Sequence, residues 1–177
     1  MAHFAVTAVG ADRPGIVAAV TRSFVDLGCN LEDSSMTILR GQFAMMLVVD
    51  APAGIGPDDL EAALAGPARE LDLVVTVRPA DVDRGDGDGS TWTVSVYGAD
   101  HPGIVHGVAA LLARLDVNIV DLSTRVVGPV EAPAYTMVLE VALPPAADSR
   151  ELQRQLDAVA ATLGVTCRLH PSEADIL

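Results

Sequence analysis

Gly10-Ala11-Asp12-Arg13-Pro14-Gly15-Ile16-Val17 and Gly98-Ala99-Asp100-His101-Pro102-Gly103-Ile104-Val105 are two copies of one phrase, separated only by Arg13 against His101. Each copy follows a strand-like run, His3 to Val9 and Thr91 to Tyr97, and each opens a stretch of helical periodicity. Pro14 and Pro102 suit the first helical position. A proline also keeps its predecessor out of the α region, so Arg13 and His101 are expected as helix caps. Both are poor caps, because neither offers a short side-chain oxygen to the helix amides. The amides of Gly15, Ile16 and Val17, and of Gly103, Ile104 and Val105, are then free for a small anion. The glycines allow close approach to the backbone. Asp12 and Asp100 stand beside these amides and can hold an ammonium, so the phrase suits an α-amino acid. The same residues also read as a plain strand-to-helix turn, with water on the amides and aspartate favouring the helix dipole.

Working outward, the phrase belongs to a larger repeat. Residues 3–9 alternate, with Phe4, Val6 and Ala8 on one side of a strand. A helix is expected from Pro14 to Leu27 with Ile16, Val17, Val20, Phe24 and Leu27 inward, ended by Gly28. Asn30 to Leu39 and Phe43 to Val49 form a hairpin about Arg40-Gly41-Gln42. A second helix is expected from Asp58 to Leu71, with Leu60, Leu64 and Leu71 inward and Gly66-Pro67 kinking or splitting it. Leu73 to Val77 is a fourth strand, stopped by Pro79. Residues 91–171 repeat this order. Val20 answers to Val108, Leu27 to Leu115, Asn30 to Asn118, Asp33 to Asp121 and Ser35 to Ser123. After a longer hairpin around Gly128-Pro129-Val130-Glu131, Phe43 answers to Tyr135, Met45 to Met137, Leu60 to Leu152, Leu71 to Leu163 and Pro79 to Pro171. The chain is read as an internal duplication.

The domains are therefore 1–80 and 91–177, joined by an acidic linker over 81–90. That stretch, Asp81-Val82-Asp83-Arg84-Gly85-Asp86-Gly87-Asp88-Gly89-Ser90, does not fit a calcium loop. A start at Asp81 puts Gly85 at the fifth position and Trp92 at the twelfth, and a start at Asp86 puts Tyr97 at the twelfth.

The net charge of −13 argues against a nucleic-acid face and against anionic membrane surfaces. No apolar run approaches the ~20 residues of a membrane span, and Met1-Ala2-His3-Phe4 lacks a signal-peptide pattern. A cytoplasmic protein with thiols Cys29 and Cys167 reduced is expected. Hydrophobic residues make up 50% of the chain and aromatics 3%, so the core must be aliphatic, with Met45 and Met137 filling it.

Strand-helix-strand twice over is the α+β, ferredoxin-like βαββαβ pattern, a four-stranded antiparallel sheet with both helices on one face. With the phrases at 10–17 and 98–105 and with Asn30 and Asn118 opening the second strands, the chain resembles two ACT domains in tandem. A free-standing pair of this length is similar to the glycine cleavage system transcriptional repressor family. That resemblance implies an amino-acid sensor that acts by contacting a DNA-binding activator. It implies ligand contacts from Asp12, Arg13, Gly15, Ile16 and Asn30 in the first copy, and from Asp100, His101, Gly103, Ile104 and Asn118 in the second. It implies a site between paired domains. Serine- and glycine-sensing relatives often carry asparagine where Asp12 and Asp100 stand, so a cationic group on the ligand is favoured here.

From the residues themselves, Asn30 and Asn118 either bind the ligand through their amides or cap the turn after the helix. Asp33, Asp121, Ser35 and Ser123 face solvent or a domain partner. His101 and His106 are poorly spaced for one metal, and His3 and His170 carry no signal. No catalytic constellation, cofactor motif or metal pattern stands out. The expected function is non-enzymatic, with a glycine- or serine-class amino acid and a transcription activator as partners. A homo-oligomer is expected, without direct nucleic-acid or membrane binding. A regulatory subunit of an amino-acid metabolic enzyme is the alternative, and a ligand-free assembly module is the third class.

Overall fold

The structure, a computed structural model, describes residues 2–81, 90–129 and 133–172. The expected linker over 81–90, apart from its end residues Asp81 and Ser90, lies outside the described residues, as does the far side of the hairpin at Gly128–Glu131. Two compact units form, Met1–Arg84 and Gly85–Leu177. Unit one runs β1 (Ala2–Ala11), α1 (Ile16–Asp26), β2 (Asn30–Leu39), β3 (Gln42–Ala51), α2 (Pro57–Leu71) and β4 (Leu73–Pro79). Unit two runs β5 (Ser90–Ala99), α3 (Ile104–Arg114), β6 (Asn118–Val127), β7 (Ala134–Leu143), α4 (Ser149–Leu163) and β8 (Val165–Pro171).

Each unit is an α+β sandwich of one sheet and two helices. The sheets have strand orders β2-β3-β1-β4 and β6-β7-β5-β8, with every pairing antiparallel. The period-two pattern of β1 buries Phe4, Val6 and Ala8 against Ile16, Val20 and Phe24 of α1 and Leu60 and Leu64 of α2. Unit two builds the same core from Val94, Val96, Ile104, Val108, Leu112, Leu152 and Leu156. Met45 and Met137 lie in these cores as expected. Val17 does not: it is 40% exposed, one position round the helix from the buried stripe.

The first glycine of each phrase is required by contact. A Cβ on Gly10 would stand 2.7 Å from the Asp72 carbonyl oxygen, and one on Gly98 would stand 2.7 Å from Val165 Cγ1. At these points β1 and β5 meet the corners where α2 and α4 turn into β4 and β8.

All four helices end on a left-handed residue, and the two units divide glycine and aspartate between these ends in opposite senses. Gly28 (φ 69°) follows α1 where Asp116 (φ 57°) follows α3, and Asp72 (φ 55°) follows α2 where Gly164 (φ 64°) follows α4. At α1 the Cys29 amide donates to the Phe24 carbonyl and the Gly28 amide to Val25, and at α3 Val117 donates to Leu112 and Asp116 to Ala113. Both are Schellman closures. Relief of left-handed strain outweighs the extra chain entropy of glycine, so Asp116→Gly should stabilise unit two by about 0.5–1 kcal/mol in urea unfolding.

Helix α2 decides part of one expectation, that Gly66-Pro67 kinks or splits it. It runs unbroken through Pro67 and is not split there. Proline removes the amide that would bond to the Ala63 carbonyl. The buried Ser23 of α1 supplies a replacement, with its hydroxyl 3.2 Å from the Ala63 oxygen and 3.4 Å from that of Ala19. Unit two carries Leu111 and Val159 at the matching places. Ser23→Ala should destabilise unit one by about 1–3 kcal/mol by orphaning that carbonyl. Adding Pro67→Ala should recover most of the loss, because the helix amide returns, and paired denaturation curves test both.

Candidate functional site

The phrase folds differently from the expectation in one respect. Pro14 and Pro102 do not open the helices. Gly15 (φ 95°, ψ −9°) and Gly103 (φ 101°, ψ −9°) are the N-caps of α1 and α3. Proline followed by left-handed glycine has the dihedral signature of a type II turn, so Arg13 and His101 precede a turn rather than cap a helix. The Gly15 and Gly103 carbonyls accept the first helical bonds, from Ala19 and Gly107 at 2.9 Å each. The open amides are thus those of Ile16, Val17 and Ala18, and of Ile104, Val105 and His106, one residue further on than expected.

These helix starts differ from the others in the same units. Neither α1 nor α3 has a side-chain cap or an acidic residue in its first turn. In α2, Asp59 accepts from the Gly56 amide at 2.8 Å, and in α4, Asp148 accepts from the Arg150 amide at 2.9 Å. Asp12 and Asp100 are exposed beside the open ends, and the Asp12 amide is fixed to the Gly41 carbonyl at 2.9 Å. In unit two the loop walls an open hollow of about 370 Å³ formed by Asp100, His101, Pro102, Gly103, Ile104, Val105, His106 and Tyr135. Sequence reasoning missed Tyr135 as a wall residue, although its alignment with Phe43 placed it at the start of the third strand beside the loop. Burial pushes the Tyr135 phenol up.

His101 has a second role. Its Nε2 lies 2.6 Å from the carbonyl of Leu163, the last residue of α4, and its Nδ1 lies 3.0 Å from the Pro102 carbonyl. Two carbonyl acceptors are both satisfied only when both ring nitrogens carry protons. The bonds to Pro102 and Leu163 therefore raise its pKa, helped by Asp100 and opposed by desolvation. The imidazolium also meets the negative end of the α4 dipole.

Asn30 and Asn118 are exposed at the starts of β2 and β6. Asn30 pairs with Asp50, which pairs with His3 at the start of β1, whereas the loop follows the end of β1, where Ala11 pairs with Gln42. Eight steps along β1, from His3 to Ala11, separate these ends, about 27 Å at strand rise. The structure brings Asp12, Arg13, Gly15 and Ile16 together and keeps Asn30 apart. In unit two it likewise gathers Asp100, His101, Gly103 and Ile104 and leaves Asn118 at the far end of its sheet. Asp33, Ser35, Asp121 and Ser123 are exposed. Ser35 borders a hollow of about 350 Å³ on the open sheet face with Thr7, Val9, Met36, Thr37, Ala44, Met45 and Met46. Cys29 and Cys167 are free, and burial first, then Asp50 and Asp157 respectively, push their thiols up.

ACT-domain family models match residues 2–78 and 92–158. The chain is a tandem ACT-domain protein. It is related to the glycine cleavage system transcriptional repressor of Escherichia coli strain K12, with 32% identity over 124 residues, covering 70% of this chain and 64% of that protein. The match thus spans just under two thirds of that relative's length. A UPF0237 protein of Methanopyrus kandleri is 40% identical over 85 residues, 48% of this chain and 94% of its own. A protein of unknown function from Galdieria sulphuraria has a crystal structure that superposes with a TM-score of 0.83 at 28% identity, covering 97% of this chain and 99% of that one. Among the described residues, no helix is long and apolar enough to cross a membrane.

The His101 bridge gives a pH test. Its folded pKa lies above the ordinary value of about 6.5, so the stabilisation is complete below that value and is lost as pH rises through the folded one. A titration followed by histidine chemical shifts should place His101 above free histidine. As pH rises from below that ordinary value through the folded pKa, wild-type unit two should lose more stability than His101→Asn does.

Proposed function

We propose that this ACT protein is a non-enzymatic regulator that senses an amino acid and passes the signal to a protein partner. The observation that carries the reading is the open, uncapped helix start beside an exposed aspartate, built twice on the same phrase. The ligand carboxylate lies on the amides of Ile16, Val17 and Ala18, or of Ile104, Val105 and His106, where backbone donors and the helix dipole favour an anion. The ammonium lies against Asp12 or Asp100. These contacts grip the two groups that every α-amino acid carries, and the glycine- or serine-class ligand of this reading comes from the relationship to the glycine cleavage system transcriptional repressor.

Asn30 and Asn118 enter this scheme only from another ACT unit, because each lies far from the loop of its own unit. We place them on a second copy of the chain, which makes the working form a homo-oligomer. Ligand held by the loop of one copy and the asparagine of the other favours the paired state over the unpaired one, and that difference in affinity is the signal. By relationship to the glycine cleavage system transcriptional repressor, the signal acts on transcription, and we place a cytoplasmic transcription activator as the receiving partner. The net charge of −13 disfavours direct contact with DNA.

A thermal-shift panel of the common amino acids at millimolar concentration tests the reading. A small amino acid should raise the melting temperature, equivalent to about 2.7 kcal/mol at a hundredfold excess over its dissociation constant. Asp12→Ala or Asp100→Ala should remove the shift at the corresponding unit. A panel with no response removes the amino-acid reading.

A further inference from the structure

Three polar side chains meet at the end of unit one opposite the phrase. His3 opens β1, Asp50 closes β3, and Glu32 is the extra residue of a β-bulge between the pairs Leu31–Val49 and Asp33–Val48. A bulge turns a side chain out of the regular alternation. Here His3 Nε2 lies 3.4 Å from Glu32 Oε1 and 4.0 Å from Asp50 Oδ1. One ligand atom from each residue lies within 4.8 Å of the others. Asp50 is only 9% exposed, and its Oδ1 is buried with no hydrogen-bond partner among the described residues. A buried carboxylate oxygen that faces an imidazole nitrogen and a second carboxylate, with no donor among the described residues, is a position that a bound cation would complete.

The second unit serves as an internal control. It keeps the bulge, between Ile119–Val141 and Asp121–Glu140. Thr91, Val120 and Ala142 stand where His3, Glu32 and Asp50 stand in the first. The fold therefore does not need the polar set. It is a property of unit one alone, and it lies at the other end of that unit from Asp12 and Gly15.

We propose that His3, Glu32 and Asp50 bind one divalent first-row transition ion. One imidazole and two carboxylates form a borderline donor set that suits such an ion better than a soft, thiolate-seeking one. Tetrahedral coordination at bond lengths of about 2.0–2.2 Å puts neighbouring ligand atoms about 3.3–3.6 Å apart. The His3–Glu32 distance already has that spacing, and Asp50 needs a small inward movement. Three protein ligands leave a fourth position open to water or to a partner's donor group. The inference stands apart from amino-acid binding at the phrase.

Calorimetric titration of the tag-free, full-length chain with Zn²⁺, after chelator treatment, tests it. The expected result is one Zn²⁺ per chain, with affinity at least tenfold weaker in Glu32→Gln and in Asp50→Asn and unchanged in His170→Gln. Glu32 is accessible, so Glu32→Gln keeps the fold even if Asp50→Asn does not. Mg²⁺ in excess should not displace the zinc. The proposal is overturned if the wild-type chain binds no Zn²⁺, or if Glu32→Gln binds it as tightly as wild type.

Discussion

In each unit the first strand ends against a neighbouring corner at a point where a side chain is missing, and no Cβ would fit there. At Gly10 the end of β1 passes within van der Waals contact of the α2–β4 corner, and at Gly98 the end of β5 passes the start of β8 in the same way. Any larger residue would push the corner away and carry β4 or β8 off the sheet edge. That contact also fixes the direction in which the chain leaves the strand. The exit leads straight into the Pro-Gly turn, and the turn delivers an uncapped helix over the end of the sheet. The phrase is therefore structural first. Its glycines are explained by packing and by dihedral angle before any ligand is considered, while its aspartate and its open amides are not.

Much of this could be read from the chain. The duplication, the order of strands and helices along the chain and the aliphatic core follow from periodicity and from matched positions such as Phe43 with Tyr135. The helix start was displaced because proline serves equally well at the first helical position and at the second position of a type II turn, and only the left-handed glycine after it decides. The continuity of α2 was not legible, since it depends on a hydroxyl from Ser23 in another helix. The distance between Asn30 and the phrase was available in principle. A helix that follows a strand returns the chain to that strand's starting end, so the next strand must begin there. The His3–Glu32–Asp50 cluster lay out of reach, because it needs the registers of three strands and the location of a bulge.

The two units act as a controlled comparison within one molecule. Their shared features, the Schellman ends, the bulges and the close glycine contacts, belong to the fold. Their differences mark separate uses. Unit two ties its loop to α4 through His101, where unit one has an exposed arginine. Unit one gathers a buried carboxylate at the opposite pole, where unit two has alanine. Specialisation has thus gone to opposite ends of the two sheets.

The Ser23–Pro67 pairing also bears on how such a repeat can change through time. Each unit has a self-consistent solution, serine with proline in one and leucine with valine in the other. A crossover that joined the first helix of unit two to the second helix of unit one would strand the buried Ala63 carbonyl, whereas the reverse join leaves the Ser23 hydroxyl its Ala19 acceptor. An exchange that carries the proline without the serine is therefore penalised, and the opposite exchange is not. One hydrogen bond thus gives a direction to what the two halves of the chain can exchange.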